Sequence, residues 1–248
     1  MWTAPLLSLT PLKLAELDAL SPSDWTAWTD ALVPSSLALI RSLPSPTSPS
    51  SSTWTPRKVY NQPECPTHTY SSLARTRPPA AGETGASRWH ARRSTHASSF
   101  DDFRAGLLVE HSKHEQEYVH ACKEAREIKA YVPGEVEDSN APASPRDFTF
   151  LLLTRDVPPS SPSAPRVFVV VSIPVDQARE KGYERGRYVS VEYVEEQEGG
   201  GVVWSMAVAS DAGGWVPKFL SERVMPSKIA EDVPSFLSWL EKRRGSSG

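Results

Sequence analysis

The chain has 248 residues, of which 39% are hydrophobic and 23% charged, the composition of a globular protein. A chain of this length can bury a sizeable core as one domain, and its 23 prolines predict long connecting loops. The formal net charge of -3 supplies no field that would draw the molecule onto nucleic acid, so we expect no nucleic-acid partner.

The cysteine content and the first residues of the chain bear on its compartment. Cys65 and Cys122 are too few for a disulfide framework and lack the spacing of a zinc site. The start MWTAPLLSLTPLKLAEL has no cationic leader, and Pro5, Pro11 and Lys13 interrupt its apolar residues. No apolar run approaches the roughly 20 residues that span a bilayer. We therefore expect a cytoplasmic protein with reduced thiols, no metal and no cofactor.

The first 53 residues predict short helices followed by a linker. Apolar residues at helical spacing predict one helix over residues 12–20 and a second over 25–43. An internal proline removes a helix hydrogen bond, so Pro34 predicts a break of the second helix into two pieces. The PSPTSPSSST stretch at 44–53 has almost nothing to bury, which predicts a mobile linker.

A β-rich region and a helix follow the linker. Short runs bounded by turn residues predict strands over residues 55–60, 69–75 and 87–95. A helix is predicted next, with an apolar face made of Phe100, Phe103, Leu107 and Leu108. Its periodicity fades in the polar sequence EHSKHEQEYV that follows.

Five further strands are predicted, over residues 122–132, 147–154, 166–173, 187–196 and 202–209. FTFLLLT and RVFVVVSI are apolar on both faces, so we expect both sides of the sheet to be covered in its middle. RYVSVEYVEE alternates, so one side of that strand is expected to meet solvent. EEQEGGGVV predicts a hairpin, in which the glycines at 199–201 are free to adopt positive φ.

The chain closes with a predicted helix over residues 215–242, broken near Pro226. Beyond that proline the apolar residues repeat at three and four; they are Ile229, Val233, Phe236, Leu237 and Leu240. An apolar face of this length must lie on the sheet, the one large apolar partner in reach. The order of elements is that of the α+β helix-grip fold, in which a curved antiparallel sheet wraps around a long C-terminal helix.

The final quarter of the chain resembles the end of StAR-related lipid transfer (START) domains. In both, a last strand that ends in an aspartate, here Asp211, precedes a Gly-Trp-hydrophobic-Pro turn, here 214–217, and a long helix. RDFTFLLLT and RVFVVVSIP look like the START pair of central strands. The combination of RWHARRSTH, EHSKHEQEY and MPSKIAEDVPSFLSWL is similar to a fungal START-like family of unknown function. The resemblance covers residues 54–240 in order.

The resemblance implies a division of the chain and a function. Residues 1–53 would form N-terminal helices and a linker, 54–242 a START-like ligand-binding domain, and 243–248 a tail. A START-like domain implies non-enzymatic binding or transfer of a lipid, sterol or apolar metabolite in an internal cavity, with transient membrane contact. The wider helix-grip superfamily also includes polyketide cyclases, so a cyclase-like enzyme that uses the same cavity is the alternative.

The cavity implied by the resemblance would have an apolar wall and a moving edge. Its predicted lining on the strands is Phe148, Phe150 and Leu152, or their neighbours in the opposite phase, with Val169, Val171, Trp204 and Met206. Its predicted lining on the final helix is Trp215, Phe219 and Leu220. Gly213 and Gly214 are the predicted hinge that lets this helix move, and Trp215 would cap the opening.

Polar residues on the predicted strand at 87–95 offer a contact for a ligand head group. Arg92 and His90 share a face of this strand, and an inward arginine could hold a head group or carboxylate bidentately. The alternative is a solvated strand edge. In a cyclase, the candidates for proton transfer would be His90, His96, Glu115 and Tyr118.

A second group of polar residues lies at helical spacing. His111, His114 and Glu115 would share a helical face, with Cys122 nearby, so a metal site can be drawn there. The pattern lacks the arrangement of the known zinc-binding helix, and a polar helix end explains it more simply.

Overall fold

A computed structural model of the chain describes residues 6–48, 50–61, 65–75, 87–119, 122, 124–132, 136–140, 146–179, 181–213 and 218–246. The helices are α1 (Leu14–Asp18), α2 (Pro22–Arg41), α3 (Phe100–Phe103), α4 (His111–Tyr118) and α5 (Lys218–Ser246), and a π-helical turn, Arg104–Leu108, joins α3 to α4. The strands are β1 (Leu12–Lys13), β2 (Trp54–Asn61), β3 (Pro66–Arg75), β4 (Arg88–His96), β5 (Arg126–Val132), β6 (Val136–Asn140), β7 (Arg146–Asp147), β8 (Thr149–Val157), β9 (Val167–Asp176), β10 (Glu184–Arg185), β11 (Arg187–Glu196) and β12 (Val202–Asp211).

One long antiparallel sheet organises the molecule. Its strand order is β2-β3-β4-β12-β11-β9-β8-β6-β5, and β1 adds to β9 in parallel. The first and last strands of this path do not pair with each other, so the sheet stays open. Helix α5 packs across β2, β3 and β4. A curved, open sheet with a long C-terminal helix is the helix-grip arrangement that the sequence predicts.

Both faces of the sheet are buried in its middle. On the face that we call the outer face, Leu151, Val169 and Val171 pack with residues of α2. On the face that we call the inner face, Phe150 and Val170 pack with residues of α3, α4 and α5. The prediction that the two central strands are covered on both sides is therefore confirmed.

Helix α2 is capped at its start and bonded to the sheet at its end. The Ser21 side chain accepts a hydrogen bond from the backbone N–H of Asp24, and the Asp24 carboxylate accepts one from the backbone N–H of Ser21. These reciprocal bonds satisfy donors that a helix start leaves unpaired. At the other end, Arg93 of β4 donates to the carbonyl oxygens of Pro44 (3.2 Å) and Ile40 (3.3 Å). A positive charge at the negative end of the helix dipole stabilises the helix.

Helix α2 continues through Pro34, so the predicted break is wrong. An internal proline costs about 3 kcal/mol, whereas each large apolar side chain that is buried contributes about 1.5–3 kcal/mol. Five such residues of α2 are buried: Trp25, Trp28, Leu32, Val33 and Ile40. Packing therefore outweighs the cost of the proline.

Helix α5 is also continuous, and the predicted break near Pro226 is wrong. Among its described side chains, the buried ones are Pro226, Ile229, Ala230, Val233, Phe236, Leu237 and Leu240. Phe236 lies at the centre of an aromatic cluster, with ring centroids 5.1 Å from those of Phe103 and Trp204 and 5.3 Å from that of Tyr118. This cluster fills the inner face beneath the C-terminal half of α5.

Strand β11 corrects a further expectation. Ser190, Glu192 and Val194 are buried, although the alternation of the strand predicts that one of its sides meets solvent. These three residues lie on the inner face, where helices cover the sheet. The alternation of β11 therefore separates a partly polar inner face from an apolar outer face, and both faces are buried.

Other boundaries differ from prediction in smaller ways. Strand β6 is not predicted at all, and the single helix expected from Phe100 onward is divided into α3, the π-helical turn and α4. The hairpin glycines at 199–201 have φ values of 85, 98 and 81°, as the GGG sequence predicts. In the part of the chain that the structure describes, no helix combines the length and apolarity needed to cross a bilayer.

A glycine in the π-helical turn permits the close packing of α5. A methyl group on Gly106 would lie 2.8 Å from the ring of Phe236 and 2.9 Å from that of Trp239. Gly106→Ala should therefore lower the free energy of unfolding by about 1–3 kcal/mol, measured by urea denaturation. Gly245→Ala is the control, because a methyl group there meets nothing within 4 Å. Equal unfolding curves for the two variants would contradict this packing.

Candidate functional site

Polar side chains from strands β3 and β4 form a band on the inner face. Arg92 lies between Thr69 of β3 and Met206 of β12, and His90 lies between Ser71 and Val208. The members of this band are Thr67, Thr69, Ser71, His90, Arg92, Ser94 and His96, and all of them are buried. Buried polar groups need partners, so this band is where an interior contact with a ligand is to be sought.

Arg92 is the most deeply buried charge of the band, at 0% exposure. Its guanidinium carbon lies 3.8 Å from the centroid of the Trp204 ring, and its Nη2 lies 3.8 Å from Oε2 of Glu192. Its Nε and Nη1 have no hydrogen-bond partner among the described residues. Burial lowers the pKa of Arg92, and the charges of Glu192 and Asp232 oppose that change. The guanidinium therefore has a counter-ion but retains unused donors.

Glu192 is held in place by an indole. The Nε1–H of Trp204 donates to Oε2 of Glu192 at 2.8 Å, and this carboxylate sits two strands away from Arg92, across Met206. The sequence interpretation missed Glu192 as a site residue. The alternation of polar and apolar residues in β11 is the sequence feature that could have identified it, but alternation alone predicts a face exposed to solvent.

Two more acids approach the same place from the helices. Burial raises the pKa of Asp232 on α5 to about 7, against the lowering effect of Arg92. Burial also raises the pKa of Glu115 on α4, and the charge of His111 lowers it; Oε2 of Glu115 lies 3.8 Å from Nε2 of His111. The charges of Glu192 on β11 and Asp232 on α5 thus act on the Arg92 guanidinium, and Glu115 on α4 acts in turn on these two carboxyl groups.

Several side chains at this place keep accessible surface. Met206 is half-buried in the middle of β12, although Arg92 and Glu192 on the flanking strands are buried. The side chain of Glu115 is 26% exposed, and Asp232 is half-buried. Phe148 and Tyr188, which pack against the inner cluster with ring centroids 5.5 Å apart, are also half-buried.

The structure brings together only part of the predicted lining. Arg92, Phe148, Phe150, Leu152, Trp204 and Met206 lie on the inner face. Val169 and Val171 lie on the outer face beneath α2, because Phe168 and Val170 of the same strand point inward. The prediction that these two valines share a face with Phe148, Phe150 and Leu152 is therefore wrong.

The predicted hinge and helix wall are described only in part. Gly213 has φ of 64°, and a Cβ there would collide with the carbonyl oxygen of Arg185, so glycine is required at this position. Gly214 and Trp215 lie outside the described residues. Phe219 and Leu220 belong to α5, and their side chains also lie outside what the structure describes.

His96, His111 and His114 use ring nitrogens in contacts with other described residues. His96 Nδ1 lies 3.4 Å from the sulfur of Cys65, and its Nε2 lies 2.8 Å from the Ser94 hydroxyl. His111 Nδ1 lies 2.6 Å from the Leu107 carbonyl oxygen, and His114 contacts the Gly106 carbonyl and Arg243. Within the described ranges, no group of His, Cys, Asp and Glu side chains is arranged to hold a metal ion.

The raised pKa of Asp232 predicts a pH-dependent stability. Between its unfolded value of 3.8 and about 7, the folded state keeps a proton on Asp232 that the unfolded state releases, so this group's contribution falls as pH rises. Wild type should therefore lose stability relative to Asp232→Asn across this window, measured by urea unfolding at about pH 4.5 and pH 8.

Glu231→Gln is the matched control, because Glu231 is exposed and pairs with Lys228 at 2.9 Å on the same helix. A difference between wild type and Asp232→Asn that stays constant with pH would contradict the burial of Asp232.

Comparison with known proteins agrees with this fold. The family model described as "Protein of unknown function (DUF3074)" matches residues 89–240. The uncharacterized protein C577.11 of Schizosaccharomyces pombe is 23% identical over 244 residues, which cover 95% of this chain and 94% of that protein.

Solved START structures resemble the chain in fold. Human StAR-related lipid transfer protein 5 superposes with a TM-score of 0.68 at 11% identity, over 90% of this chain and 100% of that one. Human STARD10 does so with a TM-score of 0.61 at 11% identity, over 97% and 87%. A STAR-related lipid transfer protein fragment from Xanthomonas axonopodis gives 0.56 at 14% identity, over 76% and 99%. The predicted START-like fold is thereby confirmed.

Proposed function

The chain belongs to the family described as "Protein of unknown function (DUF3074)", and from this premise we propose that it binds an uncharged, oxygen-bearing apolar ligand for storage or transfer. The ligand lies in a hollow between the inner face and α5. The observation that carries the proposal is the pair of unused donors on the buried Arg92 guanidinium, next to Met206, which keeps accessible surface. The solved proteins that share this fold bear the name lipid transfer protein, which agrees with such a role.

Support for a hollow comes from side chains that are deep in the protein but not fully covered. Met206 lies in the middle of the sheet, so its half-buried side chain requires space on the inner face. Burial is the largest influence on the pKa of Asp232 and of Glu115, and yet both keep accessible surface. Protein interiors otherwise pack at crystal density. We infer that these three residues line a space that accepts a guest molecule.

The apolar part of the ligand would lie along the aromatic side chains of this space. Phe148 and Tyr188 are half-buried there, and the fully buried Phe150 supports them from the sheet. Each ligand methylene that leaves water contributes about 0.8 kcal/mol. A ten-carbon chain thus contributes roughly 8 kcal/mol before ordering costs.

The polar end of the hollow favours an uncharged ligand. Arg92 already has a counter-ion in Glu192, and Asp232 and Glu115 add further acid. A ligand carboxylate would bring a fourth acidic group into a place of low polarity, where like charges oppose each other strongly. A hydroxyl or carbonyl oxygen instead accepts from Nε or Nη1 of Arg92 and adds no charge.

We propose that the ligand reaches the hollow through movement of the chain before α5. The proposed hinge includes Gly213. The left-handed φ of 64° at Gly213 and its close approach to Arg185 support a role for glycine there. The final helix then moves as a unit during exchange.

Two long-chain ligands that differ only in their head group test the proposal. Wild type should bind 1-hexadecanol at least about tenfold more tightly than palmitate at about pH 8, because the carboxylate meets the interior acids. Arg92→Met should weaken binding of the alcohol about tenfold, which is the effect of one lost hydrogen bond. Displacement of a fluorescent long-chain probe from the full chain measures both affinities.

Arg93→Met is the matched control. Arg93 adjoins Arg92 in sequence but reaches Ile40 and Pro44 beneath α2, so its loss should leave the affinity for 1-hexadecanol unchanged. Equal or tighter binding of palmitate, or an equal effect of the two arginine variants, would contradict the proposed ligand class and its contact.

A further inference from the structure

A second unused polar group lies two residues from Arg92 on the same strand face. His90 is 4% exposed, and its Nδ1 lies 3.0 Å from the Ser71 hydroxyl. That hydroxyl lies 3.0 Å from Nε of Arg57. The Nε2 atom of His90 has no hydrogen-bond partner among the described residues.

The relay from Arg57 favours one of the two neutral forms of His90. Arginine Nε–H can only donate, so the Ser71 oxygen accepts from it and the hydroxyl hydrogen is available to Nδ1 of His90. Burial lowers the pKa of His90 to about 4, with Glu222 opposing and Arg57 and Arg88 adding to the change. The ring is therefore neutral at pH 7, and the hydroxyl hydrogen directed at Nδ1 favours the form with the ring hydrogen on Nε2. Nε2–H is a buried donor that needs an acceptor.

The spacing along β4 relates this donor to those of Arg92. Alternate residues of a strand point to the same face and lie roughly 7 Å apart. Met206 and Val208 of β12 lie directly opposite Arg92 and His90, so the two donors share one side of the inner face. Their unused N–H groups would meet two different atoms of one ligand.

We propose that His90 Nε2 donates a hydrogen bond to a second oxygen of the ligand, separated from the oxygen that contacts Arg92 by a distance on the order of the roughly 7 Å Cα repeat of the strand. This inference rests on the proposed function and narrows its ligand class. The ligand is an apolar molecule with two uncharged oxygen groups, hydroxyl or carbonyl, separated by a short hydrocarbon segment. A molecule with one oxygen satisfies Arg92 and leaves His90 unpaired.

His96 is a comparison for His90, because it is a buried histidine with no unused ring nitrogen. It lies on the same strand and the same face, and burial lowers its pKa to about 4 as well. Both of its ring nitrogens are occupied, by Cys65 and Ser94, and its ring packs against Phe103 and Trp204. Substitution of His96 therefore perturbs packing but removes no free donor.

The test compares 1-hexadecanol with 1,5-hexadecanediol by probe displacement from the full chain. Wild type should bind the diol about tenfold more tightly, the effect of one added hydrogen bond. His90→Phe should abolish this preference, and His96→Phe should keep it. His90→Gln should restore it, because the glutamine amide places an N–H donor near the position of Nε2.

Each result decides between the two proposals. If 1-hexadecanol binds but the diol binds no better, or if His96→Phe also removes the preference, the role of His90 is overturned and the proposed function stands. If neither alcohol binds to wild type, both proposals fail.

Nuclear magnetic resonance of the unsubstituted chain keeps the test independent of variant folding. The ¹⁵N resonances of His90 should report a proton on Nε2, and the Nε2 signal should shift when the diol is added but not when 1-hexadecanol is added. An Nε2 chemical shift that does not change when the diol is added, or a proton on Nδ1, would overturn the inference.

Discussion

The burial of the Arg92 guanidinium is the constraint on which the inner face depends. A charge in a protein interior costs several kcal/mol unless it is paired, and Glu192, held by the Trp204 indole, supplies the pair. That pairing requires β4, β12 and β11 to be neighbours in one register, with Met206 between the two charges. It also requires α4 and α5 to exclude water, and the same helices bring Glu115 and Asp232 into the interior.

The two faces of the sheet carry different kinds of side chain and are covered by different helices. The outer face is filled by apolar residues of the sheet and of α2, and Arg93 serves there as an anchor for the helix end. The inner face divides along α5: Phe103, Trp204 and Phe236 pack ring against ring at one end. Towards Met206 the packing loosens and polar side chains take over. Under the proposed function, the apolar end and the polar end would select a ligand by its length and by its head group.

The sequence predicts the central strands and the final helix well because their apolar patterns are long. It does not predict the phase of β9, since Val169, Val170 and Val171 are equally apolar and a shift by one residue exchanges the two faces. In β11 the alternation is clear, but alternation shows only that two faces differ. The alternation predicts that one of these faces meets solvent, whereas the protein buries both and places Glu192 beside Arg92. The polar site depends on contacts between residues a hundred positions apart, which no local pattern contains.

The most direct measurement is a crystal structure of the full chain grown with a bromine-labelled long-chain alcohol. We expect an anomalous bromine peak and a connected hydrocarbon chain between the inner face and α5, with the alcohol oxygen at hydrogen-bond distance from Nε or Nη1 of Arg92. A chain bound only on the surface, or an interior in which Met206, Tyr188 and Asp232 close on one another and leave no space, would contradict it.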